Sequence, residues 1–141
     1  MKKIFFLLFA CGAFAACELE TSGNGDLDGF WQLKSVDTLA TGTSADMRES
    51  GVYWAFQNKM MSVKKINHVS AFLRFNHSGD SLFLSEPYID NRDSSDIVID
   101  DVELLRPVGI NELEERFGVS QLDGGTMVLK SKTLRLRFRK Y

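Results

Sequence analysis

The sequence predicts an all-β fold: an antiparallel barrel of eight strands, with a ninth strand at Ile97 to Val102 as its weakest element. Three observations carry this. Short runs alternate apolar and polar residues with a period of two, as in Val52-Tyr53-Trp54-Ala55-Phe56-Gln57, and are separated by turn residues. Asp28-Gly29-Phe30-Trp31-Gln32-Leu33 opens the first strand, with Trp31 and Leu33 on one face and Phe30 and Gln32 on the other. In the last strand Leu134, Leu136 and Phe138 alternate with Arg135, Arg137 and Arg139, giving one dry and one basic face. An open sheet of this size exposes two edges, and pairing the last strand with the first removes both.

Residues 1–16 read as a leader and not as part of the fold. Lys2 and Lys3 precede the apolar run Ile4 to Ala10, and Ala13-Phe14-Ala15-Ala16 supplies small residues before Cys17. The run is too short for a transmembrane helix. Ala15-Ala16-Cys17 resembles the lipobox of bacterial lipoproteins. That resemblance implies a lipidated Cys17 as the first mature residue, a membrane partner held through that lipid, and an outer-membrane location on the periplasmic face or the cell surface. Residues 17–26 are polar and glycine-containing, a tether between lipid and domain, and residues 27–141 are the barrel domain.

Composition excludes several functions. Cys11 lies in the leader and Cys17 takes the lipid, so the mature chain has no thiol for a disulfide, a zinc site or a nucleophile. Without Lys2 and Lys3, fifteen Lys and Arg face nineteen Asp and Glu, a charge of about minus four, which argues against nucleic acid as a partner.

Beyond the first strand, Asp37 to Ser50 reads as a long loop with one helical turn at Met47-Arg48-Glu49. Asn58-Lys59 turns the second strand into Met60 to Lys64. Ser78-Gly79-Asp80 turns Ala71 to His77 into Ser81 to Glu86, which Pro87 ends. Asn111 to Gly118 reads as a short helix: Asn111 caps it, Glu114 completes a capping box, Leu113 and Phe117 share a face, and Gly118 stops it. Val119 to Leu122, Thr126 to Lys130 and Thr133 to Tyr141 form a closing meander.

Gly29-Phe30-Trp31 and the arginine-bearing last strand resemble the lipocalin and wider calycin group, and in layout the small lipocalin-like lipoproteins of Gram-negative bacteria. The resemblance implies barrel closure at Gly29 and Trp31, with Arg137 or Arg139 packed on the indole. Enzyme signatures are absent: there is no Gly-x-Ser-x-Gly elbow, phosphate loop or dinucleotide fingerprint, and His68 and His77 lack metal-ligand spacing. Asp90 to Asp101 has the oxygen density of a calcium loop, but Arg92 stands where a ligand is wanted and no glycine falls at the sixth position. Neither a metal nor a cofactor is expected.

The remaining candidates are apolar. Trp54, Phe56, Met61, Leu73, Phe75, Leu84 and Met127 point inward if the barrel closes. They either contact a small hydrophobic ligand in an open mouth or fill the barrel as core, leaving a protein-interaction or structural module of the cell envelope whose partner the sequence does not name.

Overall fold

In the computed structural model, residues 24–89 and 97–141 are described. The leader, Cys17, the tether up to residue 23 and the polar run 90–96 weighed for calcium lie outside the described residues. A 3-10 helix, η1 (Gly25–Leu27), leads into ten strands: β1 (Gly29–Thr38), β2 (Thr43–Asp46), β3 (Val52–Gln57), β4 (Met60–Lys65), β5 (Ser70–Ser78), β6 (Ser81–Ile89), β7 (Ile97–Val98), β8 (Glu115–Leu122), β9 (Thr126–Lys130) and β10 (Leu134–Lys140). Eight of them close an antiparallel barrel in the order β1-β3-β4-β5-β6-β8-β9-β10, with β10 returning to β1 and with β2 and β7 as appendages. The closing register runs from Trp31 opposite Lys140 to Thr38 opposite Leu134.

Alternation decides the faces. Trp31 and Leu33, then Val52, Trp54 and Phe56, Met61 and Val63, Ala71, Leu73 and Phe75, and Leu82 and Leu84 point inward into one apolar cluster, which Phe117, Met127, Leu129, Leu136 and Phe138 complete. Each such side chain contributes roughly 1.5–3 kcal/mol on leaving water, so the barrel interior is the main source of stability.

Four local expectations are corrected. The helix at Asn111 to Gly118 is absent: Glu115 to Leu122 is β8, with Leu82 opposite Phe117 and Leu84 opposite Glu115. One and a half helical turns form too few hydrogen bonds to offset nucleation, whereas the edge of β6 offers a ladder. Among the described residues the helical segments are instead η1 and two 3-10 turns, η2 (Val102–Leu104) and η3 (Arg106–Val108).

The stretch from Asp37 to Ser50 is largely a hairpin, because β1 continues to Thr38 and Thr43–Asp46 returns as β2. All four residues of β2 are exposed, so no apolar period marks it. Pro87 does not end β6; Glu86 takes a left-handed conformation (φ 51°) at a break in register opposite Phe72 to Arg74, and pairing resumes at Tyr88. The edge strand expected at Ile97 to Val102 is limited to Ile97–Val98 against Tyr88 and Ile89.

Candidate functional site

Two ends and one interior make up the candidate site. At the first end η1 lies under the barrel: Leu27 is fully buried, and its carbonyl accepts a hydrogen bond from Trp31 Nε1 at 2.9 Å. Lys140 reaches across, its Nζ 4.7 Å from the Trp31 ring centroid and 2.9 Å from the Asp26 carbonyl it donates to. Gly29, at φ 116°, lies beneath this lysine; a Cβ there would stand 2.9 Å from Lys140 Cε.

The expected arginines are elsewhere. Arg139 Nη2 donates to Gln32 Oε1 at 3.2 Å, and Arg137 and Arg135 both reach Asp37 Oδ2, at 3.4 and 3.8 Å. In β10 Lys140 shares the inward parity of Leu136 and Phe138, while the arginines have the outward one, so no arginine of this strand can reach the indole. Lys140 was legible from that same alternation.

At the other end the chain between β7 and β8 enters the barrel. Ile99, Leu105, Val108 and Ile110 are buried, and Trp54 Nε1 donates to the Val108 carbonyl at 3.0 Å. Asp101 caps η2 by accepting from Glu103 N–H at 3.0 Å, and Gly109, at φ 95°, ends η3 in the left-handed region. Nothing in the local sequence signals this plug, since its apolar residues follow neither period.

Between the ends lie the ligand candidates. Trp54, Leu73, Leu84 and Met127 are 0% exposed, Met61 1%, Phe56 2% and Phe75 7%. The structure brings all seven into one cluster, with Trp54 against Phe138 at 4.8 Å, Phe117 at 5.7 Å and Phe56 at 6.4 Å, and Phe56 against Phe75 at 5.1 Å between centroids. A void large enough for water beside Trp54, Leu73, Leu84 or Met127 would expose their atoms, so protein fills the space around these four, whereas Phe75 also borders an open cleft with Asn58, Lys59 and His77.

Glu115 is the buried charge that sequence reasoning missed. It lies beside the plug, 4% exposed, with an oxygen accepting from Asn111 N–H at 3.3 Å. Burial raises its pKa above the usual carboxylate range, the Asn111 N–H opposes that rise, the neighbouring Glu112 adds to it, and Lys132 lowers it. Lys132 itself lies 3.6 Å from Glu112. The capping bond drawn from Asn111 to Glu114 is thus made by Glu115, one residue later. Among the described residues no three His, Cys, Asp or Glu side chains are grouped to hold a metal, and no helix is long and apolar enough to cross a membrane.

A closed eight-stranded antiparallel barrel with a tryptophan at its sealed end and an apolar interior defines the class of lipocalin-like proteins. A family model for the lipocalin-like domain matches residues 12–141, and the chain belongs to that family. It is similar in fold to the crystal structure of a lipocalin-like protein from Bacteroides uniformis ATCC 8492, with TM-score 0.64 and 22% identity over 83% of this chain and 100% of that one. It is also similar to that of an uncharacterized protein from Bacteroides eggerthii DSM 20697, with TM-score 0.59 and 16% identity over 82% of this chain and 99% of that one. No curated protein matches the chain.

Proposed function

We propose that the protein is a non-enzymatic lipoprotein of the cell envelope, held at the outer membrane by acyl chains on Cys17, whose barrel is a filled binding module that meets its partner on its outer surface. The supporting observation is the plug: the Val108 carbonyl accepts from Trp54 inside the barrel, while Trp54, Leu73, Leu84 and Met127 have no exposed surface left for a ligand. The anchor is supported by Ala15-Ala16-Cys17 after an apolar run. Two or three acyl chains are needed for stable anchoring, because each methylene contributes only about 0.8 kcal/mol.

A second reading, binding of a small apolar ligand near Trp54 and Phe56, is favoured by the plug's construction. It is a connection of sixteen residues, 99–114, without strand pairing of its own, and its hydrogen bond deep in the barrel runs from Trp54 Nε1 to the Val108 carbonyl. A ligand would enter only as Leu105 and Val108 withdraw. Titration of the protein with environment-sensitive fatty-acid probes separates the two: the filled module predicts no saturable binding, whereas saturable binding that Trp54→Ala alters returns the function to ligand carriage. Labelled palmitate fed to cells tests the anchor, with incorporation expected in the native chain and lost in Cys17→Ser; equal labelling would remove the lipoprotein reading.

A further inference from the structure

We infer that the outer face of β3, β4 and β5, with Phe30 of β1, is a membrane-docking surface that rests on anionic lipid headgroups; this deepens the lipid-anchor reading and depends on it. From Gly51 to Gly79 there is no Asp or Glu, while Lys59, Lys64, Lys65 and Arg74 all fall in that span. Of these, Lys64 and Arg74 have the outward parity and Lys59 lies in the β3–β4 turn, so in a chain with nineteen acidic and seventeen basic residues this face carries positive charge and no carboxylate from β3, β4 or β5. Glu86 of β6 reaches Arg74 at 2.8 Å, but among the described residues Lys59, Lys64 and Lys65 are in no ion pair.

Aromatic side chains lie among these lysines. One cross-strand row runs Phe30, Ala55, Ser62, Phe72, Tyr88 over the outside of five strands. Ala55 and Ser62 are small, so the row dips between Phe30 and Phe72 into a shallow cleft of about 370 Å³ that Met60 also lines. A second cleft of about 330 Å³ adjoins it, sharing Phe30, Ala55 and Ser62 and adding Tyr53, Lys64 and Tyr141. Phe30 is 61% and Tyr141 78% exposed, and Tyr141 meets the Tyr53 ring edge-on at 5.5 Å, so these rings form a contiguous apolar patch and not scattered single side chains. Rings beside lysines suit the boundary between headgroups and acyl chains, where the ring enters and the ammonium stays at the phosphates.

The chain's own course favours a bilayer over a soluble partner. Asn24, where the described residues begin, donates to the Asn58 carbonyl at 2.6 Å, and Asn58 lines the first cleft. Cys17 is seven residues earlier, so even a fully extended tether would hold it within about 25 Å of Asn24. The tether therefore leaves the domain beside the β3–β4 turn, on the side of this face, while β9 lies opposite in the closed strand order.

The test uses the mature chain from residue 17 with Cys17→Ser, so that no acyl chain contributes, and vesicles of phosphatidylethanolamine with or without phosphatidylglycerol. Partition is expected only with phosphatidylglycerol, weakening with salt. Lys59→Gln and Lys64→Gln are each expected to weaken it by about fivefold, and Phe30→Ser severalfold, while Lys130→Gln on β9 leaves it unchanged. Equal loss from Lys130→Gln, or no preference for phosphatidylglycerol, would overturn the proposal. In cells, a photo-crosslinking residue at Phe30 of the lipidated protein is expected to capture lipid, and capture of a protein instead would assign the face to a protein partner. Vesicle partition reads the face and palmitate labelling reads the anchor, so failure of either is told from failure of the other.

Discussion

Lys140 Nζ sits 4.7 Å from the ring centroid of Trp31, across the seam where the last strand meets the first. Beside it Trp31 Nε1 is bound to the Leu27 carbonyl, so the ring has its polar edge satisfied and a cation near it. The sealed end therefore joins two segments far apart in sequence, residues 26–31 and Lys140.

Trp31→Ala is expected to cost about 3–5 kcal/mol through the cavity it leaves, and Lys140→Ala about 0.5–2 kcal/mol. Arg139→Ala, which removes only an exposed bond to Gln32, is expected to cost less than either. Urea unfolding of the three variants checks this order; an arginine variant as damaging as the tryptophan variant would return the closing role to β10's outer face.

Gly29 is expected to resist substitution for two separable reasons. Its φ of 116° suits no L side chain, and a Cβ would stand 2.9 Å from Lys140 Cε. Gly29→Ala is therefore predicted to destabilise by about 1–3 kcal/mol. Since the lysine is flexible at the point of contact, adding Lys140→Ala should recover only a small part. Thermal melting of the single and double variants measures the split, and full recovery would show that the backbone conformation costs nothing.

Trp54→Phe keeps most of the ring packing but removes the donor to Val108. An orphaned buried carbonyl costs about 1–3 kcal/mol. The loss should be felt first in the plug, as faster amide exchange at Val108 to Ile110 than at β9. Uniform acceleration in both would mean that the plug and barrel open only together.

Glu115 gives the protein a pH dependence of defined sign. Its folded pKa is raised, chiefly by burial, so the folded state favours the protonated form and the unfolded state the charged one. This group's contribution to stability is therefore fullest below the unfolded pKa, and is lost as pH rises from there through the folded value. Glu115→Gln keeps an acceptor for Asn111 N–H while removing the charge. It is predicted to raise the melting temperature at neutral pH and to flatten its dependence between mildly acidic and neutral conditions. A variant with the native slope would place the dependence elsewhere.

How much of this was legible in the sequence follows from the range of the interactions. Period-two alternation put Trp31, Trp54, Phe56, Leu73 and Leu84 inside, because a strand with one buried face records that face in its own residues. The same alternation holds Lys140, and not the expected Arg137 or Arg139, on the inner side of β10, a local signal passed over in favour of the arginine that the family resemblance implies. Parity alone, however, did not give the register that sets Lys140 opposite Trp31. Asn111 to Gly118 carried helix signals, but from Glu115 onward it became strand because β6 supplied Leu82 and Leu84 as partners, a choice made by tertiary pairing over weak local propensity. The exposed β2 left no periodic trace, and the plug's buried residues owe their place to the barrel they enter. The sequence by itself determined the closed all-β class and which residues face inward. Only the tertiary structure decided that Val108 reaches Trp54 and that Trp54, Leu73, Leu84 and Met127 are wholly covered, because a hydrogen bond between residues 54 positions apart is specified by the packing of every strand between them.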